Sequence, residues 1–161
     1  MNLLIANRQR TKKISTPHLR QITTALLAEL KVVEADLGIA LVGAKEMARV
    51  NWQFLQHEGS TDVITFDHRD AGTPSAPSKI QIHGELFICV DDAIAQAKQF
   101  GSTWQSEVVR YLVHGVLHLL GYDDLQPALR RVMKRAENRL VRRLAARFSL
   151  AQLARPVKMS A

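Results

Sequence analysis

The residues best suited to chemistry lie together in His-Gly-Val-Leu-His-Leu-Leu-Gly-Tyr-Asp-Asp, residues 114–124. His114 and His118 are four apart, so on a helix both imidazoles project from one face, one turn above the other. Gly121 follows three residues later, where helices commonly end on a residue in the left-handed conformation. Such a turn lets the chain double back and bring Asp123 or Asp124 beside the histidines. Two imidazoles and a carboxylate suit one borderline divalent ion per chain, zinc first, with a fourth position left for water.

Plainer roles exist for the same residues. Histidines at helical spacing often serve as partly buried polar groups, and Asp124 could cap the helix that follows. The full spacing His-x3-His-x2-Gly-x2-Asp is much more specific than the pair alone. It has the shape of the metzincin pattern, in which the third ligand follows a glycine turn. The metalloprotease form places Glu directly after the first His as general base. Gly115 stands there instead, which disfavours peptide hydrolysis.

Periodicity outlines the elements that must hold this motif. Residues 2–8 read as a strand. Thr16 as cap and Pro17 at the first position open a helix to about Leu30, with the apolar stripe Leu19, Ile22, Leu26, Leu27 and Leu30. Further strands are expected at 37–42, 62–66 and 85–90, with a short helix at 45–55. Residues 69–79 are rich in Gly, Pro and Ser and read as a loop. A helix at 91–100 stops at Gly101. Ser102-Thr103-Trp104-Gln105 reads as a capping box opening the histidine helix. The last helix, 127–148, carries the stripe Leu129, Val132, Met133, Ala136, Leu140 and Leu144, with Arg131, Arg135, Arg139 and Arg142 on another face. The order βαβαββααα predicts an α+β fold: a small mixed four-stranded sheet packed with about five helices. Residues 1–150 are expected to form one domain and 151–161 a basic, flexible tail.

Composition adds bounds. Apolar residues are 47% and charged residues 23%, ordinary for a globular chain. Cys89 is the lone cysteine, inside an apolar run, so it reads as a buried core residue in a reducing compartment. No stretch has the length of a membrane span or a signal-peptide core, which points to the cytoplasm and away from membranes. The charge of +7 is unevenly placed: residues 125–161 hold ten Lys and Arg against Glu137 alone, whereas residues 1–124 hold twelve against fourteen acids. The excess points to an anionic partner, nucleic acid first. The plain alternative is a solvated helix face.

Four segments together resemble the YbeY family, bacterial metal-dependent endoribonucleases of ribosomal RNA maturation. They are residues 114–123, Ser-Thr-Asp-Val-Ile-Thr-Phe at 60–66, Gly-Glu-Leu-Phe-Ile at 84–88, and the helical stretch 93–113 with Ala97, Phe100, Gly101 and Glu107. The resemblance implies a zincin-like fold with one zinc-like ion on three ligands, and a cleft for single-stranded RNA bordered by Thr61 and Asp62. Its partners would be ribosomal RNA and ribosomal components, its role ribosomal RNA processing and ribosome quality control. His114 and His118 carry over as ligands. The third family ligand is a histidine at the position of Asp124, and aspartate can still bind zinc there with a shorter reach and an added negative charge. A second departure is Leu55, where the family pattern has an arginine suited to phosphate.

Metal-assisted phosphodiester cleavage is the expected chemistry, with the general base unassigned. Arg131, Arg135 and Arg139 are the expected substrate contacts, taking over phosphate binding from the missing arginine. An RNA- or ribosome-associated protein with a structural metal and weak or lost nuclease activity is the main alternative. Other metal hydrolases and two-His, one-carboxylate iron oxygenases come after it.

Overall fold

A computed structural model of the chain describes residues 1–69 and 80–154. Of the expected loop at 69–79 only Arg69 is among them, and residues 155–161 also lie outside. In chain order the elements are β1 (Asn2–Asn7), α1 (Thr16–Glu29), β2 (Val32–Val42), α2 (Ala44–Leu55), β3 (Val63–Asp67), β4 (Ile80–Cys89), α3 (Val90–Phe100), α4 (Trp104–Leu119) and α5 (Pro127–Arg147), then a 3-10 turn at Leu150–Ala154. This is the expected α+β architecture. No helix among the described residues is long and apolar enough to cross a membrane.

The sheet order is β1-β2-β4-β3. β1 and β4 run parallel to β2, and β3 is antiparallel to β4. β2 and β4 each begin about five residues before the positions expected from periodicity. Their early halves carry Glu34, Asp36, His83 and Glu85, all exposed on the uncovered face. Polar residues are tolerated there because only the other face, with Leu37, Ile39, Leu41, Ile82, Leu86 and Ile88, is buried. Helices α1, α3, α4 and α5 join that buried face in the main core. α2 covers part of the opposite face, where Met47 and Val50 meet Val42, Ile64 and Cys89. Cys89 is a fully buried free thiol whose pKa is raised by burial.

Local signals moved by a residue or two. The cap of α1 is Ser15, whose Oγ accepts the His18 N–H at 3.2 Å, so Thr16 and Pro17 lie inside the helix. Either hydroxyl could serve from sequence alone; the chain path selects Ser15. On α5 the buried stripe is Met133, Ala136, Glu137, Leu140, Val141 and Leu144, while Leu129 and Val132 are exposed. The first turns of that helix run past the core. Packing also continues beyond residue 150: Leu153 is fully buried and its carbonyl accepts the Ser15 N–H at 2.9 Å.

α4 lies unusually close to β4 because two glycines receive two leucines. A Cβ on Gly84 would stand 2.5 Å from the Phe66 carbonyl oxygen and 2.8 Å from Leu119 Cδ2. A Cβ on Gly115 would stand 2.7 Å from Leu86 Cδ2. Gly115 therefore faces the sheet, and its lack of a side chain is a packing requirement. Gly84→Ala is expected to cost about 1–3 kcal/mol of stability, because the opposing atom is backbone and cannot rotate away. Urea unfolding checks this; an unchanged midpoint would mean that β3 and α4 give way around position 84 without cost.

Candidate metal centre and adjoining cleft

α4 is positioned at both ends by its own caps. At the start Thr103 Oγ1 accepts the Ser106 N–H at 3.2 Å. The expected box at 102–105 is thus shifted by one residue, and Ser102 Oγ instead donates to Glu107 Oε1 at 2.8 Å. At the end Tyr122 N–H donates to the Leu117 carbonyl and Gly121 N–H to that of His118, both at 3.0 Å. This is a Schellman turn, and Gly121 supplies its left-handed residue at φ +100°.

The turn does three things. It brings the Tyr122 carbonyl to 3.0 Å from His118 Nδ1. It lets Asp123 Oδ1 accept the Leu125 N–H at 2.9 Å, a turn-forming role away from the histidines. It also swings Asp124 back over α4, with Oδ2 3.5 Å from His118 Nε2 and 3.7 Å from His114 Nε2. His114, His118 and Asp124 thus form a group able to hold a metal ion.

The chemistry of the donors fits a divalent cation. A carbonyl oxygen only accepts, so His118 Nδ1 carries the proton and Nε2 keeps its lone pair. His114 Nδ1 faces Glu137 Oε1 at 2.8 Å, which leaves its Nε2 as the second free donor atom. The two Nε2 atoms are 3.1 Å apart and face each other beside a carboxylate oxygen. Tetrahedral coordination with bonds of about 2.0–2.1 Å has edges of about 3.3–3.4 Å, close to these separations. Histidines oriented through Nδ1 by a carboxylate or a carbonyl are the usual support of such a centre.

Glu137, which sequence reasoning left without a role, anchors the arrangement. It is buried and also accepts from Arg110 at 2.8 Å and Lys134 at 3.1 Å. Burial pushes its carboxyl up, but the bonds from His114, Arg110 and Lys134 outweigh that and hold it at about 2. Burial likewise lowers the His114 imidazole, yet the Glu137 bond and charge raise it overall. The pocket around His114 thus favours positive charge. The signal in the sequence was that Glu137 is the only acid in residues 125–161.

Two cavities meet at the triad. The smaller, about 340 Å³, is lined by Asn51, Leu55, His57, Thr61 and Asp62. Thr61 and Asp62 therefore border the site, and the uncharged Leu55 does too. The larger, about 680 Å³, runs between α3, α4 and α5. Its basic lining comes from Arg110, Arg130 and Lys134. Arg131, Arg135 and Arg139 are exposed and are not among its lining residues. Helical rotation explains this, because burying Met133 and Glu137 turns that arginine stripe to solvent.

The sheet, the helix on it and the two-histidine, one-carboxylate turn define a zincin-like frame. The profile described as Endoribonuclease YbeY matches residues 4–145, and the chain belongs to that family. It is 35% identical over 127 residues to the endoribonuclease YbeY of Chlorobaculum parvum, covering 74% of this chain and 84% of that one. It is 31% identical over 144 residues to that of Chlorobium luteolum, covering 89% and 98%. The match to the Salinibacter ruber relative, 36% identical, covers 63% of this chain and 66% of that protein. The solution structure of TM1509 from Thermotoga maritima shares the fold, with TM-score 0.62, 21% identity and coverage of 89% and 91%.

Glu137→Gln is expected to leave the fold intact and weaken metal affinity by about 10–100-fold, since the amide orients His114 without a full charge. Competition against a chelator measures it; affinity equal to wild type would remove Glu137 from the support of the site.

Proposed function

We propose that this protein is a metal-dependent endoribonuclease that cuts single-stranded ribosomal RNA during ribosome maturation and quality control, in the cytoplasm and beside ribosomal components. The observation that carries the reading is the His114–His118–Asp124 donor set at the junction of two cavities, the larger of which also presents Arg110, Arg130 and Lys134. The names of the relatives support RNA as substrate. Two nitrogens and one oxygen suit zinc. An ion held there supplies Lewis acidity toward a phosphoryl oxygen and lowers the pKa of bound water.

The chain's own groups do the rest. Arg130 is tethered through Nε to the Asp124 carbonyl at 3.1 Å, and its terminal nitrogens have no partner among the described residues. With Lys134 it is placed to hold the phosphate beside the triad. Asp62 lines both cavities together with His114. Its Oδ1 accepts the Val63 N–H at 2.7 Å, while Oδ2 is bonded to no described residue. Asp62 is therefore the carboxylate outside the donor set suited to accept a proton there. Arg131, Arg135 and Arg139, one stripe on exposed α5, contact phosphates of the flanking strand. A binding protein with a structural metal is the second reading, favoured by Leu55 facing the cleft where the family pattern has arginine.

His114→Ala and His118→Ala should each lose the metal, Asp124→Ala should weaken its binding, and Asp124→His should retain it. Metal analysis of the purified variants decides; retention in Asp124→Ala with loss in Asp123→Ala would reassign the third ligand. Unstructured RNA should be cut in a chelator-sensitive, His114-dependent way while casein is untouched. The reverse pattern would sink the nuclease reading. Asp62→Asn should keep metal content and lower kcat by about 10²–10⁴-fold; an unchanged kcat removes Asp62 from proton transfer.

Charge reversal of Arg131, Arg135 and Arg139 together should weaken RNA binding at constant metal content. The salt dependence should flatten by roughly 0.7 in slope per lost contact. An unchanged slope would assign that stripe to solvent or to a protein surface.

A further inference from the structure

The larger cavity extends from the triad along α4 and changes character on the way. Glu107, Arg110, Tyr111 and His114 follow one another at i, i+3, i+4 and i+7, so they share one face of the helix. At 1.5 Å per residue the stripe spans about 10 Å, the reach of one nucleotide from base edge to phosphate. The His114 end carries Arg130 and Lys134 beside Asp124 and Glu137. The far end is built where α3 passes into α4, from Gln96, Phe100 and Glu107.

That far end has the parts of a base-binding slot. Phe100 keeps 69% of its surface exposed although it lines the cavity, leaving an aromatic face without a partner. Aromatic side chains in such positions are stacking platforms for nucleobases. Tyr111 is 5% exposed, and its hydroxyl is the buried side-chain polar atom without a hydrogen-bond partner among the described residues. With under 1 Å² of that oxygen exposed, Tyr111 serves the slot as part of its wall and not as a hydrogen-bond partner of a base. Glu107 has Oε1 held by Ser102 at 2.8 Å, which orients the carboxylate and leaves Oε2 and the second lone pair of Oε1 to accept further bonds.

We propose that this end of the cavity is a nucleobase subsite that holds the base next to the scissile phosphate and prefers guanine. Carboxylate oxygens only accept hydrogen bonds. Guanine offers N1–H and the 2-amino group side by side, a donor pair that fits one carboxylate bidentately, as a guanidinium does. Adenine and cytosine offer an amino group next to a ring acceptor, and uracil flanks its one donor with two carbonyls that a carboxylate repels. Recognition of an unstacked base by stacking and by its Watson–Crick edge is how proteins read single-stranded RNA. The phosphate of the same nucleotide then falls at Arg130 and Lys134, beside the triad. This rests on the endoribonuclease reading for the meaning of the neighbouring phosphate, while the slot can be tested alone.

The test titrates the full chain by calorimetry with the 5′-monophosphates of guanosine, adenosine, cytidine and uridine. The guanosine nucleotide should bind about tenfold or more tighter than the uridine one, the effect of a charge-assisted hydrogen-bond pair. Glu107→Gln should abolish that preference, and Phe100→Ala should weaken all four by about fivefold or more. Equal affinities in wild type, no binding, or a preference surviving Glu107→Gln would overturn the subsite. Cleavage of oligoribonucleotides with a single guanine, compared between wild type and Phe100→Ala, separates this from the nuclease reading. Guanosine discrimination with intact RNA keeps the slot and removes the nuclease. Efficient cleavage, indifferent to guanine and to Phe100→Ala, keeps the nuclease and removes the slot.

Discussion

The contact between His114 Nδ1 and Glu137 Oε1, 2.8 Å long, fixes more of this molecule than its size suggests. Glu137 is buried on a helix whose other exposed charges are basic, and a buried carboxylate must be paired. Its partners come from α4 (His114 and Arg110) and from its own helix (Lys134). Satisfying all three sets one rotation of α5 about its axis. That rotation buries Met133, Ala136, Leu140 and Leu144 and turns Arg130 and Lys134 toward the cavity. It leaves Arg131, Arg135 and Arg139 facing water. One ion-paired group thus couples helix docking, histidine orientation and the placing of positive charge.

The donor atoms sit on rigid supports. α4 is held against β4 by two reciprocal fits, Leu119 over Gly84 and Leu86 over Gly115. Its last turn is closed by backbone hydrogen bonds that also present the Tyr122 carbonyl to His118. Both histidines have Nδ1 committed, so each Nε2 is directed by packing and hydrogen bonding. Sites built this way keep their geometry better than sites carried on loops. Gly115 belongs to the same logic: a side chain at that position would meet the sheet, so the absence of a glutamate there reflects how closely helix and strand approach.

Both signs of charge meet at the triad. Asp62, Glu107, Asp124 and Glu137 line the larger cavity together with Arg110, Arg130 and Lys134, and Glu137 pairs with Arg110 and Lys134. A phosphodiester needs both a cationic cradle and groups able to handle protons, and the groove beside the His114–His118–Asp124 group offers Arg130 and Lys134 for the first need. The exposed arginine stripe on α5 is continuous with that groove through Arg130 but lies around the helix from it. A strand leaving the cleft would therefore meet a second row of positive charge.

Much was legible in the chain itself. The spacing of His114, His118, Gly121 and Asp124 is local, set by helix pitch and by one glycine turn, so it could be read without any tertiary knowledge. The fold class followed from hydrophobic periodicity for the same reason, since each element writes its own buried face. The early halves of β2 and β4 were not legible, because Glu34, Asp36, His83 and Glu85 are exposed on the part of the sheet face that α2 leaves open. That Arg130, and not Arg131, lines the cavity was not legible, because the two are equivalent in composition and only packing chooses the helix rotation. Glu137, Tyr111 and Phe100 acquired meaning only where three helices converge. Helix pitch and turn chemistry act over a few residues and are written in the sequence. The partner of a buried charge, and the walls of a cavity, are decided by segments distant in the chain and meet only in the folded protein.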